Sequence, residues 1–165
     1  MPSGSTFYDF VRCLACRGLV SGYADGTFRP NTDITRGQIA KIVSNAAGYN
    51  DTPAGQTFED VPSNQTFYVW IERLSTRGHM GGYNCGGAGE PCGSDNKPYF
   101  RPNSNATRGQ LSKIVANAAG LSGTFTEETY TDVPVSNAFY QWIMRLSEIG
   151  AIGGYRCGGS GEPCD

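Results

Sequence analysis

Six cysteines, two Thr-Arg-Gly-Gln motifs and two tryptophans are the residues of this 165-residue chain whose types and spacing could carry chemistry. Cys85 and Cys92 in YNCGGAGEPCG and Cys157 and Cys164 in YRCGGSGEPCD share one internal spacing. Each pair closes a Gly-rich loop, so local bonds Cys85 to Cys92 and Cys157 to Cys164 are expected to remove freedom that such a loop loses on folding. Cysteines that all pair locally fit an extracellular protein. Cys13 and Cys16, in RCLACRG, lie on one face near the end of a helix and leave three readings open: a third disulfide, a redox pair or half of a metal site. A redox pair needs a preceding thioredoxin-like strand, and zinc needs two further ligands in a chain whose single histidine is His79. A structural disulfide is the favoured reading, with no metal and no cofactor expected.

The motif TRGQ places Arg36 and Arg108 in the first turn of a helix. Beside unpaired backbone N–H groups, a guanidinium there makes a local positive site whose planar fork suits a carboxylate. The competing reading is that both arginines pair with a nearby Asp or pack their stems over tyrosines. Trp70 and Trp142 sit at helical spacing beside Ile and Leu, which favours core over a sugar platform, with one indole edge left open. Asp25 in ADGTFRPN reads as a turn residue, since a calcium loop would carry several acidic side chains at alternating positions. Asp60 and Asp132, in the two DVP segments, read as local turn and strand-end residues rather than as acids. With one His, no strand-turn-Ser motif and no acidic pair outside such turns, the usual hydrolytic constellations are missing and no enzyme is expected.

Composition describes a loop-rich chain with a mild surface charge. Glycine at 23 of 165 residues is about twice the usual share, whereas charged residues are 17 % against a typical value of roughly 25 %. A net charge of −2 with scattered Lys and Arg gives no reason to expect nucleic acid. No run of about 18 apolar residues exists, so no membrane span is expected. The opening MPSGSTFYDF lacks a basic start followed by an apolar stretch and does not read as a signal peptide. Origin in a longer exported protein is expected.

The elements that hold these residues are written more than once. TFEDVPSNQTFYVWIERLSTRGHMGGY, at 57–83, returns 72 residues later as TYTDVPVSNAFYQWIMRLSEIGAIGGY, at 129–155. STFYDFVRCLACRGLVSGY, at 5–23, matches the same segment at an offset of 60, because the Cys-bounded insertion falls after it. Each repeat reads as helix, loop, helix. Thr35 and Thr107 followed by Gln38 and Gln110 are capping boxes, and Ile39, Ile42, Val43 and Ala46 then mark one helical face, as do Leu111, Ile114, Val115 and Ala118. The other helix carries Phe67, Trp70, Ile71 and Leu74, repeated as Phe139, Trp142, Ile143 and Leu146. Such a pair has one apolar face and must pack on its neighbours.

The pattern DVP…W…L…G…GY.DGTFRPN…TR resembles the S-layer homology family, across nearly the whole chain. The resemblance implies a mainly α fold: tandem helix-loop-helix repeats packed as a pseudo-threefold helical bundle, here with long, Gly-rich, disulfide-stapled loops. The expected division is a first repeat at 1–56 lacking its DVP, a complete second at 57–128, and a third at 129–165 that holds only its first half. The implied function is a non-catalytic module at the bacterial cell surface or wall, anchoring a surface protein noncovalently on cell-wall polysaccharide, often pyruvylated. By the same resemblance Arg36 and Arg108 are the main ligand contacts, with Trp70 and Trp142 next. Gln38 and Gln110 stand where the family usually has Glu, Gly37 and Gly109 where it has Ala, and Phe10 where the other repeats have Trp. The incomplete third repeat leads to a second expectation, a self-assembling structural protein in which a neighbouring copy covers the face around Trp142, Ile143 and Leu146. Partners are therefore wall polysaccharide and copies of the chain or other surface proteins.

Overall fold

In a computed structural model that describes residues 2–155, five helices hold the chain: α1 (Tyr8–Cys16), α2 (Arg36–Ala46), α3 (Tyr68–Thr76), α4 (Arg108–Ala118) and α5 (Tyr140–Glu148). The described residues form no strand, only the isolated bridges Thr35 to Asn105, Tyr83 to Tyr99 and Gly87 to Glu90. The fold is mainly helical, and the chain divides into two compact units, Met1–Ala106 and Thr107–Asp165.

Local sequence accounts for the long helices. At α2 the Thr35 hydroxyl accepts from the Gln38 amide and the Gln38 side chain accepts from the Thr35 amide, and Thr107 with Gln110 repeats this at α4. Two of the four orphan N–H groups at each helix start are thereby satisfied. Gly48 and Gly120, at φ of 70° and 67°, stop the two helices in the left-handed region, where a side chain would be strained.

Packing pairs helices across the sequence repeats. α2 lies on α3 and α4 lies on α5, so each TRGQ helix takes as partner the helix that follows the next DVP segment. In the first unit Ile39, Ala40 and Val43 of α2 meet Ile71 and Leu74 of α3 in a core closed by Phe58, Val61, Met80 and Phe100. In the second, Ile114 and Ala116 of α4 accompany Tyr140, Met144 and Leu146 of α5. Of the α5 face expected to lack a partner, Leu146 is covered, at only 5 % exposed, while Trp142 and Ile143 are half-buried. The unpartnered helix is α1, which buries no residue and leaves Phe7 and Phe10 58 % and 70 % exposed. Pairing across the joint explains both corrections, because the TRGQ helix that would precede α1 has no counterpart among the described residues.

Close approach explains the Gly of TRGQ. A Cβ on Gly37 would stand 2.5 Å from Phe67 Cδ2, and one on Gly109 would stand 2.7 Å from Phe139 Cδ2. The phenyl ring at the start of α3 or α5 lies flat on the first turn of its partner helix. Gly37→Ala should therefore lower stability by about 1–3 kcal/mol through overpacking, although Ala is the better helix former. Thermal denaturation followed by circular dichroism checks this, and an unchanged or raised midpoint would contradict the contact.

Candidate functional site

The first turn of α2 is built into a second piece of chain. The Arg36 and Gly37 amides donate to the carbonyls of Ser104 and Pro102, both at 2.9 Å. The Arg36 guanidinium turns the same way: Nε donates to the Phe100 carbonyl at 2.8 Å and Nη2 to the Gly81 carbonyl at 2.6 Å. It lies over the Phe100 ring at 4.5 Å and the Tyr83 ring at 5.1 Å, and the residue is only 5 % exposed. Burial pushes its pKa below the ordinary value. Arg36 thus pairs with carbonyls and aromatic faces.

Asp60 secures the same segment from the other side. Its two carboxylate oxygens accept from the amides of Phe100 and Arg101, both at 2.7 Å. The Phe58 ring meets the Phe100 ring at 5.1 Å, and Phe100 is fully buried. Arg101, at φ of 60°, forks onto Glu90 at 2.7 and 2.8 Å and lies over the Tyr83 ring at 3.9 Å. Hydrogen bonding from Arg101 holds the Glu90 carboxyl below its usual range. Asp60 was expected as a local turn residue; it is a clamp on a segment 40 residues ahead.

In the second unit the same residues stand around open space. Arg108 donates from Nη2 to the Gly153 carbonyl at 2.8 Å, as Arg36 does to Gly81, and lies 5.3 Å from the Tyr155 ring. Arg108, Asp132 and Tyr155 are exposed, and with Gly109, Tyr130 and Phe139 they line a cleft of about 1000 Å³.

Trp70 and Trp142 are half-buried in matching surroundings. The Trp70 indole N–H donates to Asn45 Oδ1 at 2.8 Å, and Lys41 Nζ stands 5.0 Å over its ring. Trp142 donates to Asn117 Oδ1 at 2.9 Å, with Lys113 Nζ 4.6 Å over its ring. Each unit thus brings a cation, an amide and an indole to one surface. Lys41 with Asn45 and Lys113 with Asn117 were not singled out from sequence, yet both pairs recur at the offset of 72 and at i, i+4, the spacing that puts side chains on one helical face.

The cysteines divide. Cys85 and Cys92 are bonded across a Cα separation of 5.0 Å. Cys13 and Cys16 are free and exposed, which overturns the expected third disulfide. Both lie in α1, three residues apart on one helical face. Cys157 and Cys164 lie outside the described residues. Asp25 is a turn residue: its carboxylate accepts from the Thr27 hydroxyl and amide at 2.6 and 2.9 Å and from Arg29 at 2.8 Å, which holds its pKa down at about 2. No cluster of three or more His, Cys, Asp or Glu among the described residues has metal-binding geometry, and no described helix is long and apolar enough to cross a membrane.

Comparison with known proteins finds a family model that matches part of the chain. The model of the S-layer homology domain matches residues 2–40, which hold α1 and the first turn of α2. The outer membrane protein SlpA of Deinococcus radiodurans is 37 % identical over 68 residues, 39 % of this chain and 6 % of that protein. Cell surface glycoprotein 1 of Acetivibrio thermocellus is 24 % identical over 152 residues, covering 84 % of this chain and 6 % of its own length. The surface-layer 125 kDa protein of Lysinibacillus sphaericus is 25 % identical over 144 residues, 87 % of this chain and 11 % of that protein. The chain therefore spans about a tenth or less of these relatives.

Two measurements follow from the geometry. Arg36→Ala strands the Phe100 and Gly81 carbonyls in a dry site and should cost about 2–4 kcal/mol, whereas Arg108→Ala, at an exposed position, should cost under about 1 kcal/mol; equal shifts in denaturant midpoint would contradict the difference in burial. Alkylation of the native chain followed by peptide mapping should label Cys13 and Cys16 and recover Cys85 linked to Cys92. Protection of Cys13 and Cys16 would contradict the free thiols.

Proposed function

We propose that this chain, which carries an S-layer homology domain and belongs at the bacterial cell surface or wall, anchors a surface-layer type protein by binding anionic cell-wall polysaccharide. The module is non-catalytic. The observation that carries the polysaccharide reading is the Lys–Trp–Asn cluster built twice, once in each unit, with Trp70 beside Lys41 and Trp142 beside Lys113. An indole offers a flat apolar surface to a sugar ring, while the ammonium supplies the charge that a uronate or a pyruvyl ketal requires. Two equivalent clusters on one chain engage a repeating polymer at two points, which multiplies affinity without any new contact.

Arg36 and Arg108, the contacts expected from the resemblance, take a framing role in this proposal. Each donates to the carbonyl of the Gly that precedes a Gly-Tyr pair, Gly81 or Gly153, and so fixes the loop that leaves the α3 or α5 end of its unit.

Co-sedimentation of the full chain with isolated anionic wall polysaccharide tests the assignment. Wild type should pellet with the polymer and less so as salt rises. Lys41→Glu combined with Lys113→Glu should weaken binding at least about tenfold at unchanged melting temperature, and the paired Lys→Arg variants should retain it. Binding that survives the charge reversal would remove these clusters as the site, and absence of pelleting by wild type would remove the polysaccharide reading.

A further inference from the structure

We propose that Asn45 and Asn117 make the two Lys–Trp clusters selective for a sugar that carries a carboxylate: each amide presents its N–H groups beside the ammonium, so that the site offers donors alone. The inference rests on the polysaccharide reading and adds to it a role for the amides.

Each indole fixes the orientation of its amide. An indole nitrogen carries a hydrogen and has no acceptor capacity. The Trp70 N–H at 2.8 Å and the Trp142 N–H at 2.9 Å therefore require oxygen from Asn45 and Asn117, which gives Oδ1 to the indole and turns Nδ2 away from it. Among the described residues no protein acceptor takes either Nδ2.

The neighbouring ammonium also lacks a carboxylate. On a solvated helix face a lysine is commonly matched by Glu or Asp three or four residues away. Neither α2, RGQIAKIVSNA, nor α4, RGQLSKIVANA, contains an acidic residue, and the position four residues after each Lys is the Asn itself. Among the described residues neither Lys41 nor Lys113 forms an ion pair. Each ammonium stands over an indole instead, at 5.0 Å in the first unit and 4.6 Å in the second. Lys, Asn and Trp are half-buried in both units, so part of the cation's hydration is already lost, and a ring face returns little of it.

Ligand chemistry follows from this inventory. The Lys brings three donors, the Asn two, and the one side-chain acceptor, Oδ1, is already taken by the indole. A carboxylate on a sugar has two adjacent oxygens and a negative charge, so it bridges the ammonium and the amide while the ring lies along the indole. A neutral sugar leaves the half-buried cation unanswered. An amino sugar meets a like charge and finds no acceptor, so the same donors that favour one ligand exclude the other.

The chain holds two tryptophans, one in each cluster, so its indole fluorescence reports these sites. The full chain is titrated with isolated anionic wall polysaccharide, and with the same polymer after carbodiimide activation and borohydride reduction of its carboxylates to alcohols. Wild type should bind the reduced polymer at least about tenfold more weakly than the native one. Asn45→Ala with Asn117→Ala should lower the ratio of native to reduced affinity at least about fivefold. Asn45→Asp with Asn117→Asp keeps an oxygen for each indole N–H, so it should hold the wild-type melting temperature and prefer the reduced polymer. Matching charges away from the clusters, Asn64→Asp with Ser136→Asp at exposed positions, should leave the wild-type preference in place. Equal binding of both polymers by wild type, as contacts through phosphodiesters would give, would overturn the inference and leave polysaccharide binding standing. Equal losses on both polymers in the Asn variants would show that the amides only hold the indoles, which also overturns it. No response of wild type to either polymer would overturn the anchoring reading, and this inference with it.

Discussion

The first unit depends on one buried cation. Arg36 joins three stretches far apart in sequence: its own helix start, the Gly81 carbonyl 45 residues on and the Phe100 carbonyl 64 residues on. A guanidinium is suited to this because its donors lie in a fixed plane and its faces tolerate aromatic rings, so hydrogen bonds at the rim and contacts with Tyr83 and Phe100 above and below are made together. Bonds at 2.6 and 2.8 Å recover part of the cost of desolvating the charge, and the ring faces supply more. Asp60 balances it by accepting two amides of the same segment, so that one cation and one anion grip a turn of backbone between them.

Everything nearby follows from that grip. The segment must pass close to the α2 start, which is why the amides of Arg36 and Gly37 find carbonyls there instead of water. Phe67 must lie on the same first turn, which is why position 37 tolerates no Cβ. The disulfide between Cys85 and Cys92 closes the insertion just upstream, and Glu90 within it holds Arg101. The staple thus serves that segment: it closes a Gly-rich loop whose Glu90 carboxylate pairs with the Arg101 guanidinium.

Short-range features were legible in the sequence and long-range ones were not. The capping boxes at Thr35 and Thr107, the stops at Gly48 and Gly120 and the turn at Asp25 each involve residues within a few positions of one another, and propensity reads such contacts directly. The Cys85 to Cys92 bond was legible for the same reason. Which helix pairs with which depended on the path of the chain between repeats, and helical periodicity is silent on that, so α5 was expected bare and α1 was not. The clamp role of Asp60 and the burial of Arg36 were hidden similarly, since both reach 40 or more residues ahead. A matched offset of 72 was a usable signal for the Lys–Trp–Asn clusters, because two lysines and two asparagines recur with the tryptophans they flank.

A repeat whose joint is built from parts of two successive copies has a geometric consequence. Each joint takes a helix start from one repeat and a Phe-Arg-Pro-Asn segment from the next, so stability is shared between neighbours rather than held within one repeat. Arg108 keeps the bond to Gly153 that Arg36 makes to Gly81, while Tyr130 and Tyr155 are more exposed than Phe58 and Tyr83. The Arg-to-Gly hydrogen bond is thus common to both units. In the first, the Phe100 segment adds carbonyl acceptors for Arg36 and Gly37, the two amides that Asp60 holds and the burial of the aromatic floor.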